Sequence, residues 1–234
     1  MINFNAKYLH LFFINEKRIL CSNIFCKFAM TMEGMADSVC WLCFFRREEK
    51  IVEHFKTIRN MLSKKVQDAL NAQINAEFWS AYLYLSMSAY ANAKGYQGMA
   101  NWFEVQYQEE LDHVKIFFDY ILQRDGKVLL QPIEGVPTEW STPLNLFEET
   151  LKHEQKVTGL INNLYALSLE ENDFATQSML KWFIDEQVEE EESAKTIIDN
   201  LRMIGDNGYG IYTLDKDLST RTYTQAAPLA ADNG

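Results

Sequence analysis

The feature that most constrains the fold is a set of four long segments with apolar residues at helical spacing. The whole chain of 234 residues contains only 10 glycines and 4 prolines, so little in these segments would break a helix. The pattern predicts helices over residues about 63–93, 97–125, 143–170 and 174–203. A helix of about 28 residues is about 42 Å long. The sequence therefore predicts an all-α protein built as a four-helix bundle.

Short turns follow the first and third predicted helices, so each should pair with its successor as an antiparallel neighbour. The segment 127–141 carries two prolines and is long enough to cross the whole bundle. The interpretation is an up-up-down-down bundle with one long crossover between the second and third helices. A short fifth helix is predicted at 212–219, and residues 223–234 are expected to form a loose tail.

Residues 1–60 differ from the rest of the chain. They carry 9 Lys/Arg and 6 Asp/Glu, a balance of +3, whereas the remainder carries 13 and 27, a balance of −14. All four cysteines lie in this segment, and Cys40-x-x-Cys43 has no second pair at zinc-site spacing. We therefore expect an atypical extension, disordered or not native, with Met61 as an alternative start.

Charge and hydropathy exclude several function classes. The formal net charge of −11 argues against a nucleic-acid partner and favours cations. No apolar run approaches the roughly 20 residues of a membrane-spanning helix, so no membrane partner is expected. The absence of cysteine after residue 60 suits a reducing compartment, and the predicted location is the cytoplasm.

Each predicted helix has an apolar line on its inward face, and a carboxylate interrupts each line near its middle. A buried charge without a partner is costly. One site that the four carboxylates share is therefore more plausible than four separate unpaired carboxylates. Oxygen donors with a single imidazole suit iron or manganese, and six donors can hold two ions if one carboxylate bridges. The donors at this level are Glu77, Glu110, His113, Glu154, Gln187 and Glu190.

With these residues in view, the chain resembles bacterial non-haem ferritins over residues about 61–222. The resemblance rests on the stretches NAQINAEFWSAYLYLSMSAY, YQEELDHVKIFFDYI, LKHEQKVTGLI and WFIDEQVEEEESAKTIID. It implies iron storage and detoxification in a homo-oligomeric shell of 24 subunits. It also implies ferroxidase activity, in which O2 or H2O2 oxidises Fe(II) and a ferric oxyhydroxide core is deposited.

The resemblance implies a di-iron centre as the cofactor site. Glu77, Glu110 and His113 would hold the first iron. Glu110, Glu154 and Glu190 would hold the second, with Glu110 bridging the two ions.

Further residues take roles from the same resemblance. Gln187 would lie near the bound dioxygen, and Tyr84 would stand beside the centre. Glu109, Glu186 and Glu189 would form a third, weaker iron site.

One sequence difference separates this chain from other ferritin-like proteins. Haem-binding bacterioferritins and many di-iron enzymes carry a second Glu-x-x-His, whereas this chain has Gln187-x-x-Glu190, so no haem is expected. Two alternatives stay open at this point. One is a di-iron oxidase or peroxidase that acts on a separate substrate, and the other is a structural bundle without metal.

Overall fold

The structure, a computed structural model, describes residues 62–230. Their six helices are α1 (Lys64–Ala93), α2 (Gln97–Gln123), α3 (Pro143–Glu170), α4 (Phe174–Ile204), α5 (Gly208–Leu218) and α6 (Ala227–Ala230). No strand occurs between residues 62 and 230, and the predicted all-α bundle is confirmed. The expectations for residues 1–60, including the Cys40-x-x-Cys43 motif, lie outside the described range.

The helix starts follow from capping side chains that the sequence makes visible. Ser63 Oγ accepts a hydrogen bond from the Val66 N–H at 3.3 Å, which caps α1. Thr142 Oγ1 accepts from the Asn145 N–H at 3.0 Å, and Pro143 occupies the first turn of α3. These caps satisfy N–H groups that have no partner inside the helix.

The long connection between α2 and α3 lies along α1. Asn71, near the start of α1, donates a hydrogen bond to the Lys127 carbonyl at 3.0 Å. Ser86, near its end, donates to the Pro137 carbonyl at 2.7 Å. The connection therefore returns the chain to the end of the bundle where α2 began. The helix order is up-down-down-up, and the predicted up-up-down-down order was wrong because α2 already runs antiparallel to α1.

The fifth helix begins four residues earlier than the predicted range 212–219. Asn207 Oδ1 accepts from the Gly210 N–H at 2.9 Å and starts α5 at Gly208. Gly208 and Gly210 both lie in this first turn, and glycine has a low helix propensity. Packing against α2 offsets their low propensity: a Cβ at Gly98 would lie 1.5 Å from the Asp215 carbonyl oxygen, so glycine there lets α5 approach closely.

Residues beyond α5 contact α2. The Tyr223 hydroxyl and the Ala226 N–H both donate to Asp112 Oδ2, each at 2.8 Å. The four-residue helix α6 follows this contact. The looseness expected of the tail stays a prediction.

The interior of the bundle has three levels. One apolar cluster lies toward the end of α1 and includes Phe103 and Phe147. A second lies toward the start of α1 and includes Phe117 and Phe183. Between them lies a polar layer of buried carboxylates, amides and imidazoles. No helix in the described part of the chain has the length and apolar composition that crossing a membrane requires.

Candidate metal centre

Helices α1 and α2 bring three candidate ligands together. Glu77 lies midway along α1, and Glu110 and His113 lie one turn apart on α2. One ligand atom from each lies within 4.8 Å of the others, and all three side chains are buried. They form the only such group of three or more among residues 62–230.

Helices α3 and α4 supply the remaining donors of the layer. Gln187 Nε2 donates to Glu154 Oε2 at 3.2 Å, which links α4 to α3. Gln106 Nε2, from α2, donates to Glu190 Oε2 at 2.8 Å. The structure thus buries all six predicted donors in one layer and joins α2, α3 and α4 by amide–carboxylate hydrogen bonds.

Glu77 has one carboxylate oxygen without a protein partner. Its Oε1 accepts from Gln73 Nε2 at 2.8 Å, but the buried Oε2 has no hydrogen-bond partner. The buried Oε1 of Gln106 also lacks one. Buried polar atoms are nearly always paired, so these orphaned oxygens are the observation that a bound cation would explain.

Crowding and burial favour the protonated form of the four buried glutamates. Burial, reinforced by the charge of Glu110, raises the pKa of Glu77 to about 8. Burial also raises the pKa of Glu110 and of Glu190. The pKa of Glu154 lies well above its usual value, first because of burial and then because of the charge on Glu190. Four carboxylates here cannot all be ionised cheaply without added positive charge.

His113 carries the positive charge available within the layer. Burial opposes its protonation, but Glu110, whose Oε2 lies 3.3 Å from Nδ1, raises the pKa together with the charges of Glu77 and Glu190, to about 10. The ring packs edge-on against Trp182 and Phe183. A metal ion at this ring would need the neutral imidazole, so binding would release a proton.

Tyr84 contacts the centre directly. Its fully buried hydroxyl donates a hydrogen bond to Glu154 Oε1. The neighbouring His153 lies apart from the ligand groups: its Nε2 is 2.8 Å from Ser80 Oγ, and its ring packs against Trp79. Burial, with a smaller effect from Lys156, lowers the pKa of His153 to about 4, so this ring is neutral.

The residues predicted for a third site lie at the edge of the layer. Glu109 Oε2 accepts a hydrogen bond from Arg221 at 2.6 Å. Burial raises the pKa of Glu109 to about 7 and also raises that of Glu186, whereas Glu189 is exposed. The three do not appear as a close ligand group in the described range.

Sequence reasoning missed the residues that support the ligands. Gln73 lies four residues before Glu77 on α1, a spacing that could have indicated their hydrogen bond. Gln106 lies one turn before Glu110 on the same inward line, so its position was visible although its bond to Glu190 was not. Arg221 follows α5, and no local pattern connects it with Glu109.

Comparisons with known proteins show the family to which the chain belongs. The ferritin-like domain family matches residues 67–204. A bacterial non-heme ferritin of Bacteroides fragilis is 44% identical over 161 residues, which cover 69% of this chain and 100% of that protein. One of Staphylococcus saprophyticus is 42% identical over 166 residues, covering 71% and 99%.

Solved structures give the same result. An open-pore ferritin from the archaeon Archaeoglobus fulgidus superposes with a TM-score of 0.68 at 47% identity, covering 69% of this chain and 98% of that one. The family match spans more than half of the chain, and whole relatives align with it at well over 30% identity. The chain therefore belongs to the ferritin family and groups with its bacterial non-haem members.

Proposed function

We propose that the chain stores and detoxifies iron. It binds Fe(II) in pairs at the buried centre, oxidises the pair with O2 or H2O2, and deposits Fe(III) as a ferric oxyhydroxide core inside a 24-subunit shell. Membership of the ferritin family supports the iron-storage part of this proposal. The donor set of the polar layer supports the oxidation chemistry.

The donor set of the polar layer supports the proposal of two iron ions. Glu77, Glu110 and His113 would hold the first, and they are the group whose ligand atoms lie within 4.8 Å. Glu154 and Glu190 would hold the second with Glu110, whose carboxylate would bridge. Four carboxylates balance the charge of two divalent cations, and hard oxygen donors favour the ferric product over Fe(II).

Pairing the ions matters for the electron balance. Each Fe(II) loses one electron, so two ions deliver the pair of electrons that reduces O2 to H2O2, or H2O2 to water. The protein holds both ions where one oxidant molecule reaches them. Hydrolysis of the Fe(III) product then releases protons and yields the oxyhydroxide.

The chain's own residues prepare the ligands. Tyr84 donates to Glu154 Oε1, and Gln187 donates to Glu154 Oε2, so both oxygens of this carboxylate are oriented. Gln106 orients Glu190, and Gln73 orients Glu77. Gln187 would also stand beside the oxidant.

The observation that carries the proposal is the unpartnered Glu77 Oε2 within a layer of four buried carboxylates. The shell is proposed from the family, and a cytoplasmic location from the cysteine-free sequence after residue 60. Oxidation would take place at the centre, and mineral growth would take place in the cavity of the assembled particle.

The test is aerobic addition of Fe(II) to metal-free protein, first at two ions per subunit and then at a few hundred per particle. Near-ultraviolet absorbance follows oxidation, and gel filtration follows the particle. Fast oxidation at low load, then a soluble brown core that elutes with a large oligomer, is the expected result. A small species or precipitated rust would indicate a di-iron enzyme with another substrate.

Two variants tie the activity to the centre. Glu110→Gln and His113→Ala should each slow the first oxidation step by more than about tenfold, because each loses a ligand. Glu149→Gln is the matched control, since Glu149 pairs only with Lys152 at the surface of α3. Unchanged oxidation in both ligand variants would contradict the proposal.

A further inference from the structure

Two buried side-chain oxygens of the polar layer have no hydrogen-bond partner. They are Glu77 Oε2 and Gln106 Oε1, and no other buried side-chain nitrogen or oxygen within residues 62–230 lacks one. Glu77 belongs to the ligand set proposed for the first ion, whereas Gln106 has so far only oriented Glu190. Because buried polar atoms are nearly always paired, the orphaned oxygen of Gln106 also requires a partner.

The position of Gln106 brings its amide beside a ligand of the second ion. The residue lies one turn before Glu110 on α2, and its side chain is fully buried. Its Nε2 donates to Glu190 Oε2 at 2.8 Å. An amide nitrogen only donates hydrogen bonds, so this contact leaves the carbonyl oxygen for another partner. The two atoms of one amide are about 2.3 Å apart, so Oε1 lies close to Glu190 as well.

The polar layer supplies no donor to this oxygen. Tyr84 and Gln187 donate to Glu154, and Gln73 Nε2 donates to Glu77. The remaining partners for a buried carbonyl oxygen are a water molecule or a cation. Because Glu190 would hold the second ion, a cation bound there would lie next to the Gln106 amide.

We propose that Gln106 Oε1 is a further oxygen donor to the second ion. The proposal rests on the proposed function, which assigns that ion to Glu110, Glu154 and Glu190. Each ion then accounts for one orphaned oxygen, the first for Glu77 Oε2 and the second for Gln106 Oε1. Nε2 keeps its bond to Glu190, so one amide both orients a charged ligand and supplies a neutral one.

This donor makes the second position selective among divalent cations. The first position includes the His113 imidazole, a ligand that Zn(II) accepts readily, whereas the second has oxygen donors alone. Zn(II) is satisfied by four ligands, but cations such as Mn(II) take six oxygen donors. A neutral carbonyl oxygen therefore strengthens the binding of Fe(II) or Mn(II) more than that of Zn(II). The second position favours a cation that can give up an electron over one that cannot.

The experiment is an anaerobic calorimetric titration of the assembled, metal-free protein with Mn(II) and, separately, with Zn(II). Gln106→Leu removes both amide atoms and keeps a side chain of similar size. The second Mn(II) should bind about tenfold more weakly to this variant. The second Zn(II) should bind less than about threefold more weakly, because Zn(II) needs fewer donors. The first ion of either metal should bind as in the unaltered chain.

A second variant separates the role of the oxygen from that of the nitrogen. Gln106→Glu keeps an oxygen at this position but loses the N–H that donates to Glu190, and it should recover most of the Mn(II) affinity that Gln106→Leu loses. If Gln106 only orients Glu190, Gln106→Glu binds Mn(II) as weakly as Gln106→Leu, and Gln106→Leu weakens both metals equally. If Oε1 holds only a water molecule, Gln106→Leu leaves the Mn(II) affinity unchanged. Each of these results would overturn the proposal.

A matched control makes the same substitution two residues further along α2. Gln108 Nε2 donates to the Glu104 carbonyl at 3.3 Å, at the surface of the helix. Gln108→Leu should leave both titrations unchanged, and thermal melting by circular dichroism shows whether each variant is folded. Fewer than two Mn(II) per subunit in the unaltered chain would contradict the proposed function itself. Two Mn(II) per subunit, with a second step that Gln106→Leu does not weaken, would overturn only the role of Gln106.

Discussion

The middle and the ends of the bundle belong to the same four helices but bury opposite kinds of side chain. At the ends, aromatic and aliphatic side chains pack together: Phe117 stacks on Phe183 with ring centroids 4.2 Å apart, and Phe147 on Phe103 at 5.0 Å. In the middle, equally buried positions hold four carboxylates and an imidazole. The ends stabilise the fold, whereas burial of carboxylates in the middle costs stability.

The difference teaches that the polar layer is tolerated only because it lies between two apolar clusters. Amide hydrogen bonds from Gln73, Gln106 and Gln187 hold one oxygen of each of three carboxylates. They reduce the cost without satisfying Glu77 Oε2. Stability and the proposed function therefore depend on different levels of one core, and substitutions should separate them.

The largest effect is expected from an apolar end. Phe147→Ala should lower the free energy of unfolding by about 3–5 kcal/mol, because it removes a fully buried ring that Phe103 and Trp102 contact. Guanidinium denaturation of the metal-free protein measures this change. Asp199→Asn, which removes an exposed pair with Lys195, is the control and should cost less than about 0.5 kcal/mol.

The next effect is a loss of stability with rising pH in the metal-free protein. Because the folded-state pKa of Glu77, about 8, exceeds its ordinary value, the stability that its proton contributes is lost as pH rises through about 8. The pKa of His113, about 10, is also raised, so its contribution disappears as pH rises through about 10. Both signs agree.

Melting temperatures at pH 6, 7.5 and 9 (chosen to span these values) test this. They should fall with pH without metal and fall less, or rise, with Zn(II), because binding displaces the same protons. A melting temperature independent of pH in the metal-free protein would contradict the buried ionisable layer.

A single substitution in the polar layer should lower the cost of burying that layer in the metal-free protein. Glu77→Gln removes the carboxylate with the unpartnered oxygen, and should stabilise the metal-free protein at pH 9 by about 1–3 kcal/mol. The same variant should bind the first Zn(II) more weakly. Denaturation measures the change in stability, and titration measures the change in Zn(II) affinity. A variant that loses stability as well as affinity would contradict the view that the polar layer costs stability.

The smallest effect is expected at Tyr84, which belongs to an apolar cluster and contacts a carboxylate of the polar layer. Tyr84→Phe removes the hydroxyl that donates to Glu154 but keeps the ring that packs on Phe103. It should cost about 0.5–1.5 kcal/mol of stability in the metal-free protein. Metal titration should still show two ions per subunit, and loss of either ion would show that Tyr84 does more than orient Glu154.

Local chemistry explains why the sequence predicted most of the fold. The range 143–170 for α3 was correct because Thr142-Pro143 marks the start of that helix. The start of α5 was wrong because local propensity disfavours Gly208, whereas the Asn207 cap and the close approach at Gly98 favour a helix. Capping is visible locally, but packing of distant segments is not.

The same distinction applies to the site. Periodicity alone placed Glu77, Glu110, Glu154 and Glu190 on inward faces, because the burial of a helix face follows its repeat. It could not assign their hydrogen-bond partners. The ion pair of Glu109 with Arg221 joins residues 112 positions apart and depends on the path of the chain after α5.

The course of the long connection along α1 has a consequence for the order of folding. It divides the bundle into two antiparallel hairpins, α1 with α2 and α3 with α4, each closed by a short turn and able to form from local contacts. Glu77, Glu110 and His113 belong to the first hairpin, whereas Glu154 and Glu190 belong to the second. Under the proposed function, one ion would need a single hairpin and the other would need both. Completion of the second ligand set and docking of the hairpins would then be the same event.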